Sequence, residues 1–452
     1  MTSGATEPVT IFALATAPGR SGVAVFRVSG PRSGDVVRAL SGDLPQPRRA
    51  TLRTFQNPVG RAVIDRGLVL WFPGPASFTG EDMAEFHCHG GRAVILAMRE
   101  AFAGCVRCRP AEAGEFAKRA FENGKMDLTQ AEGVADLIDA ETEAQRRQAF
   151  QQSDGVLSRQ VEAWRDELIA AMALVEAAID FSDEPDVAED AVKQADGRAR
   201  ELAEQIASVL DDNHRGEILR DGYRVVLVGP PNAGKSSLLN ALARRDAAIV
   251  SDEPGTTRDL IEVRFDLGGV PIILTDTAGL RETESAVEKE GIRRSTESAK
   301  RADLALWLDD PDGALGEWPD ELGGFDLLRG AIQRVLSKAD LLTVAQRDAA
   351  RAAAMIVSAS SGEGLDALVS VIVTHAESVT RVAAPSFITQ ARHRDHLASA
   401  LQHLRGFGDK DNDVELRAED LRRAAFELGR LTGRVDVEDV LDHVFGRFCI
   451  GK

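Results

Sequence analysis

The strongest constraint in the sequence is a β-branched run that leads straight into a glycine-bracketed loop. Val225-Val226-Leu227-Val228 is followed by Gly229-Pro230-Pro231-Asn232-Ala233-Gly234-Lys235-Ser236, and Ser237-Leu238-Leu239-Asn240 then reads as the first turns of a helix. A strand, a Gly-x-x-x-x-Gly-Lys-Ser loop and a helix in that order form a phosphate cradle. Gly229 and Gly234 let several backbone N–H groups curl around one anion, and the helix start adds the positive end of its dipole. Lys235 can reach β- and γ-phosphates, and the Ser236 hydroxyl can ligate Mg2+. A plain glycine turn would explain neither the Lys-Ser pair nor its place after a strand.

Four further blocks follow in the order that a GTPase requires. Gly255-Thr256-Thr257-Arg258-Asp259 offers a switch threonine that completes a Mg2+ shell when γ-phosphate is present. Asp276-Thr277-Ala278-Gly279 ends an apolar strand; Asp276 can hold the Mg2+ shell and the Gly279 N–H can meet the γ-phosphate. Ser337-Lys338-Ala339-Asp340 ends another strand, where Asp340 would pair with the N1 and N2 hydrogens of guanine, which adenine cannot match. Ser358-Ala359-Ser360 would finish the base pocket with backbone N–H groups. One such tetrapeptide is weak; all five blocks in order, each at a strand end, point to GTP. Two departures stand out. Ser337 occupies a position where the guanine motif usually has Asn or Thr, so it keeps a hydroxyl and lacks an amide. Leu280 follows the Asp-x-x-Gly block where small signalling GTPases carry a water-orienting Gln, and an apolar side chain cannot polarise water.

Around this domain the composition divides the chain into parts. With 452 residues, 44% hydrophobic and 28% charged, the expectation is a soluble protein of several domains. No apolar stretch is long enough to span a membrane and no signal peptide is visible, while four cysteines make no disulfide framework. These features fit a cytoplasmic protein. The net charge of −18 argues against coating nucleic acid by bulk electrostatics but leaves room for a local basic patch. The expected fold class is multidomain α/β plus all-α. Residues 1–122 read as an α/β domain with strands at 23–28 and 67–72; residues 123–215 read as helix after helix, with an acidic break at 180–190 around Pro185. Residues 216–380 form the G domain, with further strands at 263–267, 272–275, 304–308, 334–337 and 355–358, and helical sequence returns over 381–452. The simplest topology inserts a Ras-like G domain between two halves of one helical domain. Cys105-x-x-Cys108 has no second pair at metal spacing and reads as two unpaired thiols. His87 and His89 are read as facing opposite sides of a short strand, which disfavours joint metal ligation.

Several blocks together resemble the MnmE (TrmE) family of tRNA uridine-5-carboxymethylaminomethyl modification GTPases. They are Asn232 in the phosphate loop, residues 255–259, Asp276-Thr-Ala-Gly-Leu-Arg-Glu282, Phe26-Arg27-Val-Ser-Gly30, Ser77-Phe-Thr-Gly-Glu-Asp82, Asp127-Leu-Thr-Gln-Ala-Glu132 and the terminal Phe448-Cys449-Ile450-Gly451-Lys452. The likeness spans essentially the whole chain. It implies G domains that dimerise across their nucleotide face, with K+ in place of an arginine finger. Asn232 matches the K+ ligand, helped by Ser251, Glu253 and Thr256, and Glu288 matches the water-orienting carboxylate. By residue type alone Glu288 is a solvated helix carboxylate.

The resemblance also implies an N-terminal homodimerising domain that binds 5-formyl- or 5,10-methylene-tetrahydrofolate through Arg27, Glu85, Lys125 and Lys452. From sequence alone Arg27 and Glu85 would pass as ordinary polar strand residues. It further implies a flavoprotein partner, MnmG, which carries FAD. With it, the family adds an aminomethyl or carboxymethylaminomethyl group at C5 of the wobble uridine of tRNA. Cys449 is the matching reactive thiol, against the plainer reading of an exposed terminal cysteine. The competing function is a regulatory or ribosome-assembly GTPase that binds RNA without chemistry. Such a protein usually appends a compact basic module, whereas here the appended parts are an α/β domain and an acidic helical one. A scaffold role leaves the intact nucleotide blocks unexplained.

Overall fold

The computed structural model describes residues 9–181, 183–230, 232–245, 248–249, 261–276, 302–309, 331–350, 354–380, 388–408, 413–435, 441, 444–446, 448 and 450–451. The switch threonines, Ser251, Glu253, Thr277 to Leu280, Glu288, Cys449 and Lys452 lie outside the described residues. The chain forms two compact units, one of residues 1–135, 153–166 and 425–452, the other of residues 136–152 and 167–424.

The first unit begins β1 (Thr10–Leu14), β2 (Ser21–Ser29), α1 (Ser33–Ser41), β3 (Thr51–Gln56), β4 (Val63–Phe72), β5 (Met83–Gly90), α2 (Arg92–Ala103), β6 (Cys108–Pro110), α3 (Glu115–Glu122) and α4 (Leu128–Asp139). Its sheet runs β3-β4-β5-β2-β1-β6, antiparallel except where β1 meets β6. Period-two alternation decides its faces. Ala24, Phe26 and Val28 of β2 and Ala84, Phe86 and Cys88 of β5 enter one core with Val36 and Leu40 of α1 and Met98 of α2. Phe102 sits at its centre, its ring 5.2 Å from Phe12, 5.3 Å from Phe26 and 5.2 Å from Phe86.

The opposite parity sends Arg27 and Glu85 to the other face. His87 and His89 share that face, two residues apart on β5, so the expectation of opposite sides is wrong: residues i and i+2 of a strand always point the same way. They still do not converge, because His87 meets Glu85 at 3.4 Å while His89 meets Asp65 at 2.9 Å. Cys88, Cys105 and Cys108 are free. Burial pushes the Cys88 thiol up to about 11 and Cys108 up to about 12, so both stay protonated at neutral pH.

α4 starts with a reciprocal cap. Asp127 Oδ1 accepts the Gln130 N–H at 2.9 Å, and Gln130 Oε1 accepts the Asp127 N–H at 3.0 Å. Against α3 and α4 the chain's end folds back: Val444, Phe445 and Phe448 pack on Ala117, Leu128 and Ala131. Ile450 bridges Ala113, and Gly451 adopts φ +106° where a side chain would lie 2.5 Å from the Leu14 carbonyl. Only glycine permits that approach.

The helical run continues as α5 (Glu143–Ser153), α6 (Val156–Asp180), α7 (Pro185–Leu210) and α8 (Arg215–Asp221). The acidic break is shorter than expected, because Pro185 opens α7 from its first turn, where its missing N–H has no partner to lose. The second unit's sheet contains β7 (Tyr223–Val228), then, after α9 (Lys235–Arg245), β8 (Ala248–Ile249), β9 (Ile261–Leu267), β10 (Val270–Asp276), β11 (Leu304–Asp309), β12 (Ala331–Leu336) and β13 (Met355–Ile356). Its order is β13-β12-β11-β7-β10-β9-β8, parallel from β13 to β10. Val225 and Leu227 of β7, Leu274 of β10 and Leu306 of β11 meet Leu239 of α9 and Leu368 of helix Leu365–Thr380 in one core. Helix Ala391–Phe407 packs along α7, and helix Val414–Thr432 follows it. β12 and β13 end earlier than the sequence suggests, so Ser337 and Ser358 stand just past the carboxyl ends of their strands, where open α/β sheets bind ligands.

Truncating the aromatic centre tests the first unit's core. Phe102→Ala should cost about 3–5 kcal/mol and speed amide hydrogen exchange in β2 and β5 while leaving β7 and β10 protected; unchanged protection in β2 and β5 would contradict this packing.

Candidate functional site: a nucleotide pocket and an arginine-lined cleft

Between β7 and α9 the chain makes the expected loop. Gly229 has φ +149°, and a side chain there would meet the Leu308 carbonyl at 2.3 Å, so the neighbouring strand end requires glycine. Asn232 is exposed in the left-handed region at φ 63°, a conformation Asn tolerates. Lys235 is buried, with its Nζ donating to the Gly229 and Pro230 carbonyls at 2.7 and 2.9 Å. Burial pushes this ammonium below its ordinary value and the Asp276 carboxylate pulls it back up. The charge therefore lies across the loop's own mouth, held by carbonyls that an incoming phosphate can replace.

β10 delivers the second essential group. Its register with β7 sets Asp276 opposite Leu227. Asp276 is fully buried, and its Oδ2 accepts the Ser236 hydroxyl proton at 2.5 Å. A hydroxyl and a carboxylate in contact are the hard oxygen donors that suit Mg2+.

The base-reading blocks come next along the sheet edge. Ser337 is buried, and its hydroxyl donates to the Ala233 carbonyl at 2.7 Å, with the Asp309 carbonyl at 3.0 Å. This ties the base-reading loop to the phosphate loop. Asp309 is itself buried at the end of β11, where Trp307 Nε1 donates to it at 2.8 Å and Arg334 at 3.2 Å. Lys338 turns the chain in the left-handed region, and Asp340 projects beyond it. The Ser358 hydroxyl donates to Asp340 Oδ1 at 2.5 Å and accepts the Ser361 N–H at 3.1 Å. The Ser358 bond, first, holds the Asp340 carboxyl below the usual carboxylate range. Ser358 thus aims Asp340.

A separate cleft of about 390 Å³ lies in the first unit, on the sheet face opposite the aromatic core. Arg27 of β2 and Glu85 of β5 are cross-strand partners, and their side chains pair at 3.0 Å, partly exposed. Phe72, Phe78, Met83 and Phe448 supply apolar walls. Arg27 lies over the Phe78 ring at 5.9 Å, and Arg48 lies over Phe72 at 5.8 Å while bonding the Ala76 carbonyl. The loop below is clamped: Glu81 accepts from Ser29 at 2.7 Å and from Arg119 at 3.0 Å, and Asn123 donates to the Thr79 carbonyl at 2.8 Å. The aliphatic stem of Lys125 runs beside Gly80.

Of the expected residues, the structure brings Lys235, Ser236, Asp276, Ala233 and Ser337 together in one place and Arg27 and Glu85 in another. Sequence reasoning missed Arg48, Phe72 and Phe78, and it assigned no role to Phe448. Strand parity could have found Phe72, which shares the Glu85 face across β4 and β5. Arg48 had no signal, because it sits in irregular backbone before β3.

A family profile for the MnmE helical domain matches residues 128–449, and one for the GTP-binding protein TrmE N-terminus matches residues 10–125. The tRNA modification GTPase MnmE of Parvibaculum lavamentivorans is 51% identical over 448 residues, covering 98% of this chain and 100% of that protein. The chain belongs to the MnmE family of tRNA modification GTPases. The relative from Maricaulis maris is 52% identical over 452 residues, covering 98% of this chain and 99% of its own length. The G domain of the T. maritima FeoB iron transporter matches 34% of this chain and 98% of its own at 24% identity, with a TM-score of 0.25, too low to carry an argument. Membership brings an N-terminal α/β TrmE domain, a helical domain and a Ras-like, GTP-binding G domain. Among the described residues no helix is long and apolar enough to cross a membrane.

Removing the aiming hydroxyl should separate affinity from stability. Ser358→Ala should weaken GDP binding by roughly three- to tenfold, measured by displacement of a fluorescent GDP analogue; unchanged affinity would show that Asp340 needs no orientation.

Proposed function

We propose that the chain hydrolyses GTP in a G domain at residues 216–380, inserted between helical halves at 123–215 and 381–452, and that residues 1–122 form a folate-binding, homodimerising domain. With the flavoprotein MnmG, which carries FAD, it adds a (carboxymethyl)aminomethyl group at C5 of the wobble uridine of tRNA, in the cytoplasm. The one-carbon unit comes from 5-formyl- or 5,10-methylene-tetrahydrofolate. The observation that carries the GTPase reading is the Ser236–Asp276 contact at 2.5 Å, with Asp276 also acting electrostatically on the Lys235 ammonium.

Ser236 fits Mg2+ as a ligand, with Asp276 behind it and Thr257 as the switch ligand. Once bound, the ion would neutralise charge between the β- and γ-phosphates. Lys235 moves from its loop carbonyls to the phosphates. Asn232 presents an exposed carboxamide at the mouth of the loop and, with Ser251, Glu253 and Thr256, is the proposed K+ ligand set. Thr277, Ala278, Gly279, Lys338, Ala359 and Ser360 complete the nucleotide contacts, and Glu288 orients the attacking water in place of the Gln that Leu280 replaces. In the cleft, the Arg27–Glu85 pair presents donors and an acceptor side by side between aromatic walls. That suits a flat heteroaromatic ring with polar edges and a carboxylate tail. Lys125 and Lys452 add positive charge, and Cys449 is the candidate thiol.

Three results are expected. GTP turnover should rise with K+ and much less with Na+, measured as steady-state phosphate release; equal rates would remove Asn232's role. Deletion of the gene should abolish the modified wobble nucleoside in bulk tRNA, and Arg27→Ala should weaken tetrahydrofolate binding in calorimetry by tenfold or more. An unchanged nucleoside profile would overturn the proposal.

A further inference from the structure

Guanine presents donors on N1 and N2 and acceptors on O6 and N7. Asp340 suits the two donors and the backbone N–H groups at 359–360 suit O6, which leaves N7 in need of a donor. A candidate donor is the side chain of residue 337, which opens the Ser337–Asp340 block and is hydrogen-bonded to the phosphate loop. An amide in that place carries two N–H donors, so it can hold the phosphate loop with one and serve the base with the other. Serine has a single O–H proton. In this chain that proton points at the Ala233 carbonyl at 2.7 Å, with the Asp309 carbonyl at 3.0 Å as the next acceptor. Both alternatives are protein carbonyls in a buried site, and Ser337 is only 5% exposed. Turning the hydroxyl toward a base would strip the loop-to-loop tie from Ala233, and leaving a buried acceptor unmatched costs about as much as the new bond gains.

We propose that Ser337 is a positioning residue and not a base reader: its only proton is committed to the phosphate loop, so this GTPase reads guanine through N1, N2 and O6 and leaves N7 unread. The side chain therefore acts through Ala233, as a positioning residue, and the pocket tolerates purines altered at position 7. The inference rests on the chain's being a guanine-nucleotide binder.

The probe is 7-deaza-GDP, in which a C–H replaces N7 and no acceptor remains. Its affinity is compared with that of GDP by displacement of a fluorescent GDP analogue from the full chain, for the wild type, Ser337→Asn and Ser337→Ala. Wild type should bind the two nucleotides within about twofold of each other. Ser337→Asn should bind GDP about tenfold tighter than 7-deaza-GDP, because the added amide has a spare donor. Ser337→Ala should weaken both nucleotides together and leave their ratio near one. A wild-type preference for GDP of fivefold or more would overturn the inference, as would a Ser337→Ala variant that loses only the GDP preference. Should Ser337→Asn fail to fold, the wild-type ratio decides alone. Failure of GDP itself to bind would instead defeat the GTPase reading.

Discussion

Two parallel strand pairings carry the nucleotide site. β7 lies between β10 and β11, and the registers put Leu227 beside Asp276 and Val228 beside Trp307. All three strands therefore end at one edge, where β7 leads into the phosphate loop and β10 and β11 finish on Asp276 and Asp309. A slip of one residue in β10 would turn Asp276 away from Ser236 and drive polar Thr275 toward the core. Such a slip would have to break the pairing of β10 with β7 on one side and with β9 on the other; β11 is buried along its whole length and β7 at all but Arg224. Catalytic geometry is thus a by-product of core register, and the hydrogen bonds from Ser236 and Ser337 only finish what the sheet has aligned.

The N-terminal unit solves a different problem with the same alternation. One face of its sheet is closed by aromatic packing around Phe102. The other carries charged groups, Arg27 and Glu85, in an open cleft. Pairing Arg27 with Glu85 across two strands at 3.0 Å spares either charge from being buried alone, which would be far more costly. The clamp from Arg119 and Ser29 to Glu81 fixes the loop that carries Phe78. Phe448 adds to the cleft's apolar wall, and Gly451 lies against the backbone at the end of β1.

Much of this was legible in the sequence because phosphate and guanine recognition need particular residue types at fixed spacing. The loop from Gly229 to Ser236, Asp276 and Asp340 all fall where the motif order puts them. The expected strands were right in place and short or long only at their ends. Long-range partners were not legible. The tie from Ser337 to Ala233 spans about a hundred residues of sequence, and nothing local marks it. Arg48 and Phe448 reach the cleft from irregular backbone, where no period applies. His87 and His89 were a failure of reading rather than of information, since strand period alone puts them on one face.

In the proposed function, the GTP site in one unit governs a modification for which the other unit holds the one-carbon donor. Lys235→Ala removes the phosphate-binding ammonium and touches nothing in the cleft. The direct measurement is the modified wobble nucleoside in bulk tRNA from a deletion strain complemented with either the wild-type or the Lys235→Ala chain, both confirmed to be expressed and to bind tetrahydrofolate. Full modification is expected with the first and none above background with the second. Modification at the wild-type level by the Lys235→Ala chain would contradict the proposed function.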